Sequence, residues 1–189
     1  MAIEKPKYEV MKKQGNLELR SYLGYITAGV KIRAETYNEA VNTGFGYLAD
    51  YIFGNNHISE KIAMTTPVNA VRLPSQKIAM TAPVNAQKEG DSYLVTFTMP
   101  SKYTIASLPI PNRSEISINE IKPFLAVAIC FSGYLTDEKA KFYEDKLDGW
   151  IEQEGLEPHG AFVSSQFDPP WMPWFIRHNE IYREVKLTR

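Results

Sequence analysis

Apolar and polar residues alternate from the start of the chain. Tyr8 and Val10 precede the turn-like Gln14-Gly15-Asn16, and Leu17 and Leu19 follow it and lead into YITAGVKI at 25–32. An extended chain returns side chains to one face every second residue, so this stretch predicts a hairpin and a further strand. The period then changes. Val41, Phe45, Leu48 and Ile52 recur three and four apart, Thr36 and Glu39 have capping-box spacing, and Gly54 can take the left-handed conformation that ends a helix. Gly44 and Gly46 oppose this helix at about 1 kcal/mol each and predict a neighbour packed closely over that face. Alternation resumes in YLVTFTMP, with Tyr93, Val95, Phe97 and Met99 on one side. After a loop from Pro109 to Asn112, a strand with Ile116 and Ile118 leads to the apolar run Phe124 to Phe131. A second helix has Thr136 at its cap, Asp137 and Glu138 in its first turn, Ala140, Tyr143, Leu147 and Ile151 on one face and Gly155 after it. Strands at 161–166 and 180–187 complete the pattern.

The order of strands, helix, strands thus occurs twice, with no Pro-, Gly- or Ser-rich linker between the halves. This predicts a single domain over residues 1–189, of α+β class, in which a pseudo-repeat packs two helices against antiparallel sheet. Such a layout leaves a groove for a ligand.

Two segments carry more than packing. Residues 61–70 read KIAMTTPVNA and residues 77–86 read KIAMTAPVNA, differing only at Thr66 and Ala82. A spacing of sixteen residues is far below a solenoid unit and reads as a duplicated strand and turn. Ile62 and Met64, or Ile78 and Met80, would share one face, and Pro67 and Pro83 mark an edge, bulge or strand end. The methionines either fill core or, being flexible and polarisable, line an adaptable pocket at Met64 and Met80. In the second segment, DPPWMPWF at 168–175, three prolines stiffen a loop carrying Trp171, Met172, Trp174 and Phe175. It either caps the core or forms one wall of a flat ligand's site. Arg177 and His178 either meet a ligand's carboxylates, remain solvated, or pair with an acid such as Glu180.

Composition narrows the function. Hydrophobic residues at 44% and charged residues at 23% are those of an ordinary soluble globular protein, and the net charge of −1 supplies no basic excess for nucleic acid or an anionic membrane. The N-terminal MAIEKPKYEV lacks the apolar core of a secretory signal, and no segment approaches the roughly 18 apolar residues of a membrane span. The single cysteine, Cys130, lies in LAVAICF and reads as a buried strand residue. A cytoplasmic location is expected. His57, His159 and His178 share no metal-ligand spacing, so no metal site is expected. Without a G-x-S-x-G or a phosphate-cradling glycine loop, no catalytic residue is assigned.

EKIAMTTPV and its copy QKIAMTAPV, with TGFGYLADYIFGNN, TFTMPSKYT, FSGYLTDEKA and DPPWMPWFIRHNEI, together resemble the SOUL heme-binding family over about Tyr8 to Val185. They look most like its bacterial-type members, in which the KIAMTAPV phrase occurs twice. The resemblance implies a distorted antiparallel β-barrel of two βαββ-like halves with two flanking helices, similar to the effector-binding domains of AraC-type regulators and gyrase-inhibitor-like proteins. It also implies a tetrapyrrole ligand. In animal members the pocket runs along the first helix beneath the proline-rich loop, with basic side chains for the propionates. The matching positions are Asn42, Phe45, Ala49, Asp50 and Met172, where the apolar character survives and the positive charges do not. A histidine suggested as axial ligand in some members matches Ser21. The expectation is therefore heme or a related porphyrin held by apolar burial without an axial histidine, at Phe45, Leu48, Ala49, Met64, Met80, Trp171, Met172, Trp174 and Arg177. Two alternatives stand beside it: another hydrophobic small molecule sensed or hydrolysed in the same groove, and a scaffold whose aromatic loop docks a protein partner. The chain is expected to be a monomer or weak homo-oligomer.

Overall fold

The computed structural model describes residues 3–58, 74–168 and 171–188. Strands β1 (Tyr8–Gln14), β2 (Leu17–Tyr22) and β3 (Tyr25–Arg33) lead into helix α1 (Tyr37–Phe53). The short β4 (Asn56–His57), then β5 (Val84–Glu89), β6 (Ser92–Thr98) and the short β7 (Ile110–Pro111) follow. The chain continues through β8 (Ile116–Ile121), β9 (Phe124–Phe131), helix α2 (Asp137–Gln153), β10 (Leu156–Gln166) and β11 (Asn179–Leu187). Both helix starts are capped as the sequence predicts. Thr36 accepts a hydrogen bond from the Glu39 backbone N–H at 3.3 Å, and Thr136 accepts one from that of Lys139 at 3.3 Å.

Nine strands form one antiparallel sheet in the order β1-β2-β9-β11-β10-β5-β6-β3-β8, and β4 pairs with β7 apart from it. The order shows the pseudo-repeat. The unit β3-α1-β5-β6 corresponds to β9-α2-β10-β11, and the two units meet where β5 pairs with β10, Ala86 opposite Ser164. Each unit's leading strand crosses to the other: β2, which precedes β3, pairs with β9, while β8, which precedes β9, pairs with β3.

The barrel expected from the resemblance does not close. Among the described residues no ladder joins the outer strands β1 and β8. β1 is exposed along its whole length and carries Lys12 and Lys13, the kind of charged edge that resists further pairing.

Both helices cover the same face of the sheet. Leu48, Tyr51 and Ile52 from α1 and Leu147, Trp150 and Ile151 from α2 join Val30, Val95, Phe97, Val127, Ile129 and Ile181 in one core. Leu48, expected in the pocket, is fully buried where α1 packs on the sheet. Close approach explains one of the two helix glycines: a Cβ on Gly44 would fall 2.6 Å from the Val95 Cβ, whereas a Cβ on Gly46 meets nothing within 4 Å.

The second copy of the repeated phrase is an extended loop over 77–83, and β5 starts only after Pro83. Ile78 is buried and donates its backbone N–H to the Ile52 carbonyl, while Met80 is 40% exposed, so the two do not share a face. The alternation in the phrase suggested a strand; anchoring to the end of α1 and to Thr98, whose carbonyl accepts from the Thr81 hydroxyl, overrides it. The first copy, with Ile62, Met64 and Pro67, lies outside the described residues.

The glycine geometry generates a paired test by urea denaturation. Gly44→Ala should destabilise by about 1–3 kcal/mol through overpacking on Val95, and Gly46→Ala should stabilise by about 1 kcal/mol through helix propensity.

Candidate functional site

The proline-rich loop between β10 and β11 is closed at its base and tied across its middle. Phe167 donates its backbone N–H to the His178 carbonyl, Asp168 accepts from the His178 N–H at 2.6 Å, and Arg177 Nε donates to the Met172 carbonyl at 2.8 Å. A single 3₁₀ turn, Trp174–Ile176, follows Pro173. These bonds hold the loop while its large apolar side chains point outward: Trp171 is 83% exposed and Trp174 55%. Such area on a stiffened loop costs solvation and marks a surface for covering.

Trp174 forms one wall of an open cleft of about 610 Å³; the other wall is Tyr134, Thr136, Glu138, Lys139 and Phe142, from the approach to α2 and its first turns. The walls are kept adjacent by the Asn179 side chain, which donates to the Gly133 carbonyl at 2.8 Å and so ties the start of β11 to the turn before α2. Aromatic contacts continue behind the cleft, with Phe142 edge-on to Tyr143 and Tyr143 stacked on Phe131 at 4.1 Å. Cations flank it: the Arg177 guanidinium lies 4.8 Å over the Tyr134 ring and Lys146 Nζ 4.6 Å over Phe142. The cleft therefore combines aromatic walls with a rim in which the cations Lys139, Lys146 and Arg177 outnumber the one lining acid, Glu138, suited to a flat apolar body bearing acidic groups.

The opposite face of the sheet holds a buried polar network. Along β2 the side chains of Glu18, Arg20 and Tyr22 point away from the helices, and all three are buried. Arg20 is 1% exposed; it bonds both Glu180 oxygens at 2.6 and 3.1 Å, Glu18 at 2.8 Å and the Tyr22 hydroxyl at 3.0 Å. Ala126 and Ala128 stand opposite Arg20 and Glu18 in β9, leaving room for the longer side chains. Burial opposes the Arg20 charge, but its carboxylate partners outweigh that and keep it ionised. Burial likewise works against Glu180, yet the hydrogen bonds from His178 and Arg20 hold its carboxyl down at about 2. The nearby Cys130 thiol goes the other way, pushed up to about 12 by burial and by the Glu180 charge.

Comparison with known proteins agrees with this architecture. The chain matches the SOUL heme-binding protein family over residues 3–184. It belongs to that family. A relative, Heme-binding protein 1 of Xenopus laevis, is 24% identical over 169 residues, covering 86% of this chain and 84% of that one. Among solved structures, the C-terminal domain of EcmrR superposes with a TM-score of 0.64 at 13% identity, covering 96% of this chain and 99% of that one. A hydrolase from Listeria innocua gives 0.58 at 10% identity, with 93% and 94% covered. These likenesses establish a shared fold.

In this SOUL protein the expected site residues do not all converge. Trp174 faces the start of α2, and the described lining of its cleft includes no residue of α1. Phe45 packs edge-on against Phe97 at 5.4 Å with 37% of its surface exposed, and Ala49 is half-buried. Asp50, whose negative charge would oppose a propionate facing it, is engaged by Arg113 at 2.8 Å and Asn55 at 2.6 Å. Met64 lies outside the described residues. His178 pairs with Glu180 at 2.7 Å, one of the arrangements left open above. Sequence reasoning missed Tyr134, Lys139 and Phe142. The available signal was Phe142, an aromatic on the polar side of a helix whose apolar face is filled by Leu147, Trp150 and Ile151.

The network predicts an acid limb to stability. Glu180 is held below the 4.5 of an unperturbed glutamate, so its stabilisation is complete above that value and is lost as pH falls toward about 2. Thermal unfolding measured through this window should show Glu180→Gln less stable than the parent at neutral pH by roughly 3 kcal/mol, with the gap narrowing on acidification.

Proposed function

We propose that this SOUL protein binds a tetrapyrrole, heme or an iron-free porphyrin, in the cleft between Trp174 and Phe142. The observation carrying this reading is the exposed aromatic cleft itself, in a member of a heme-binding family. Its volume of about 610 Å³ falls within the roughly 300–1,000 Å³ usual for small-molecule sites. Trp174 and Phe142 would contact the macrocycle, and Lys139 and Arg177 would meet its propionates through charge-assisted hydrogen bonds.

The lining fits the macrocycle better than the metal. Among its described residues there is no histidine, cysteine or methionine, and Tyr134 is the one side chain of a type that ligates heme iron. Heme bound here would supply a redox-active iron, while this chain's residues supply burial, orientation and charge balance. Affinity is therefore expected to come from the ring and not from iron ligation.

Titration of hemin and protoporphyrin IX, followed by quenching of tryptophan fluorescence and by the Soret band, should give comparable affinities for the two. Trp174→Ala and Phe142→Ala should each weaken binding about tenfold, the equivalent of ~1.4 kcal/mol, and Phe45→Ala should leave it unchanged. Loss of binding in Phe45→Ala alone would move the site to the first helix, and failure of both porphyrins to bind would refute the reading.

A further inference from the structure

Three side chains that the cleft does not use converge on the opposite face. Cys130 Sγ, His178 Nε2 and Glu180 Oε1 all lie within 4.8 Å of one another, with Sγ to Oε1 at 3.4 Å and Nε2 to Oε1 at 2.7 Å. The placement is built into the sheet. Cys130 and Glu180 are direct cross-strand partners in the β9–β11 ladder, so their side chains stand together, and His178 sits two residues before Glu180 on the same side.

The spacing suits a metal ion. With bonds of about 2.0–2.3 Å to nitrogen, oxygen and sulfur, tetrahedral ligands lie about 3.4–3.6 Å apart. The sulfur–oxygen separation already meets this. The nitrogen–oxygen pair is now a hydrogen bond and has to open by roughly 0.7 Å to reach that spacing. The His178 side chain, 44% exposed, has room to swing.

The chemistry and charge agree. Imidazole, thiolate and carboxylate are zinc ligands, and three protein ligands with a fourth position open is the pattern of a reactive zinc site. Arg20 and the Lys13 ammonium, 2.8 Å from Glu18, balance the two buried carboxylates Glu18 and Glu180, so a metal-bound thiolate adds one negative charge, which the cation offsets. Arg20 Nη2 lies 3.2 Å from Sγ and 3.1 Å from Glu180 Oε1 and so orients both donors from outside the coordination sphere. His178 and Glu180 also line a small pocket of about 70 Å³ with Tyr8, Tyr22, Asn85 and Ser165, which has room for a water as fourth ligand.

We propose that Cys130, His178 and Glu180 form a binding site for a divalent transition-metal ion of the zinc class, with its fourth position open to this pocket. Binding replaces the Cys130 S–H proton with the metal and releases that proton to solvent, while the proton on His178 Nε2 moves to Nδ1 so that the Nε2 lone pair is free to coordinate.

The test is titration of Co²⁺ into chelator-treated, porphyrin-free protein, read by absorption. One Co²⁺ per chain is expected, with visible ligand-field bands of tetrahedral intensity and a near-ultraviolet thiolate-to-cobalt band, all displaced by Zn²⁺. Cys130→Ser should abolish the thiolate band. His178→Gln, at a partly exposed side chain and so compatible with folding, should weaken Co²⁺ binding at least about tenfold. Absence of the bands at stoichiometric Co²⁺, a thiolate band that survives Cys130→Ser, or unchanged affinity in His178→Gln would each overturn the site.

Discussion

The pairing of β5 with β10 is the interaction on which the rest of the molecule depends. It joins the two βαββ units into one sheet, and the crossed leading strands make the join reciprocal, because β2 completes the second unit and β8 the first. Neither unit has a full sheet alone. The two middle pairs of this ladder are small and polar, Ala86 opposite Ser164 and Asn85 opposite Ser165, and the Ser165 hydroxyl bonds the Asn85 side chain at 2.6 Å. Polar groups paired in this way satisfy one another and let the backbones approach without a bulky side chain between them. With the units joined, α1 and α2 lie on one face over a continuous core.

That division assigns each face of the sheet a different kind of chemistry. The helix face is closed by aliphatic and aromatic packing, and its loops present the aromatic cleft at the start of α2. Among the described residues no helix covers the other face, where aromatic rings pack: Tyr22 stacks on Phe124 at 4.9 Å, and Tyr8 and Tyr182 lie beside them. Under this cover Arg20 would be intolerable unpaired, and two carboxylates, a tyrosine hydroxyl and a thiol surround it. A buried pair of this kind adds little over an apolar core of the same volume, yet losing one partner is costly. It therefore fixes how β2, β9 and β11 align more than it adds stability.

The repeated phrase illustrates how far a local pattern reaches. Its second copy leads into the central strand, so its position in the fold is structural, and Met80 is left partly exposed at the loop before it. The alternating residues 77–81 have strand periodicity but no strand partner. Ile78 is instead drawn into the core by the end of α1, a contact with no trace in the phrase itself.

Caps, helix faces and most strands were legible in the chain because the interactions that create them are local: Thr36 reaches Glu39, Thr136 reaches Lys139, and alternate residues share a face of a strand. The family motifs were legible for the same reason, being contiguous. The open edge of the sheet, the facing of Trp174 toward Phe142 and the meeting of Cys130, His178 and Glu180 were not, because each depends on residues far apart in sequence. Arg20 and Glu180 are separated by 160 positions, and no periodicity records that distance. The chain's order of hydrophobic and polar residues specified the elements and the fold class. Long-range strand pairing, which sets which side chains share a face, assigned the cleft and the polar cluster their members.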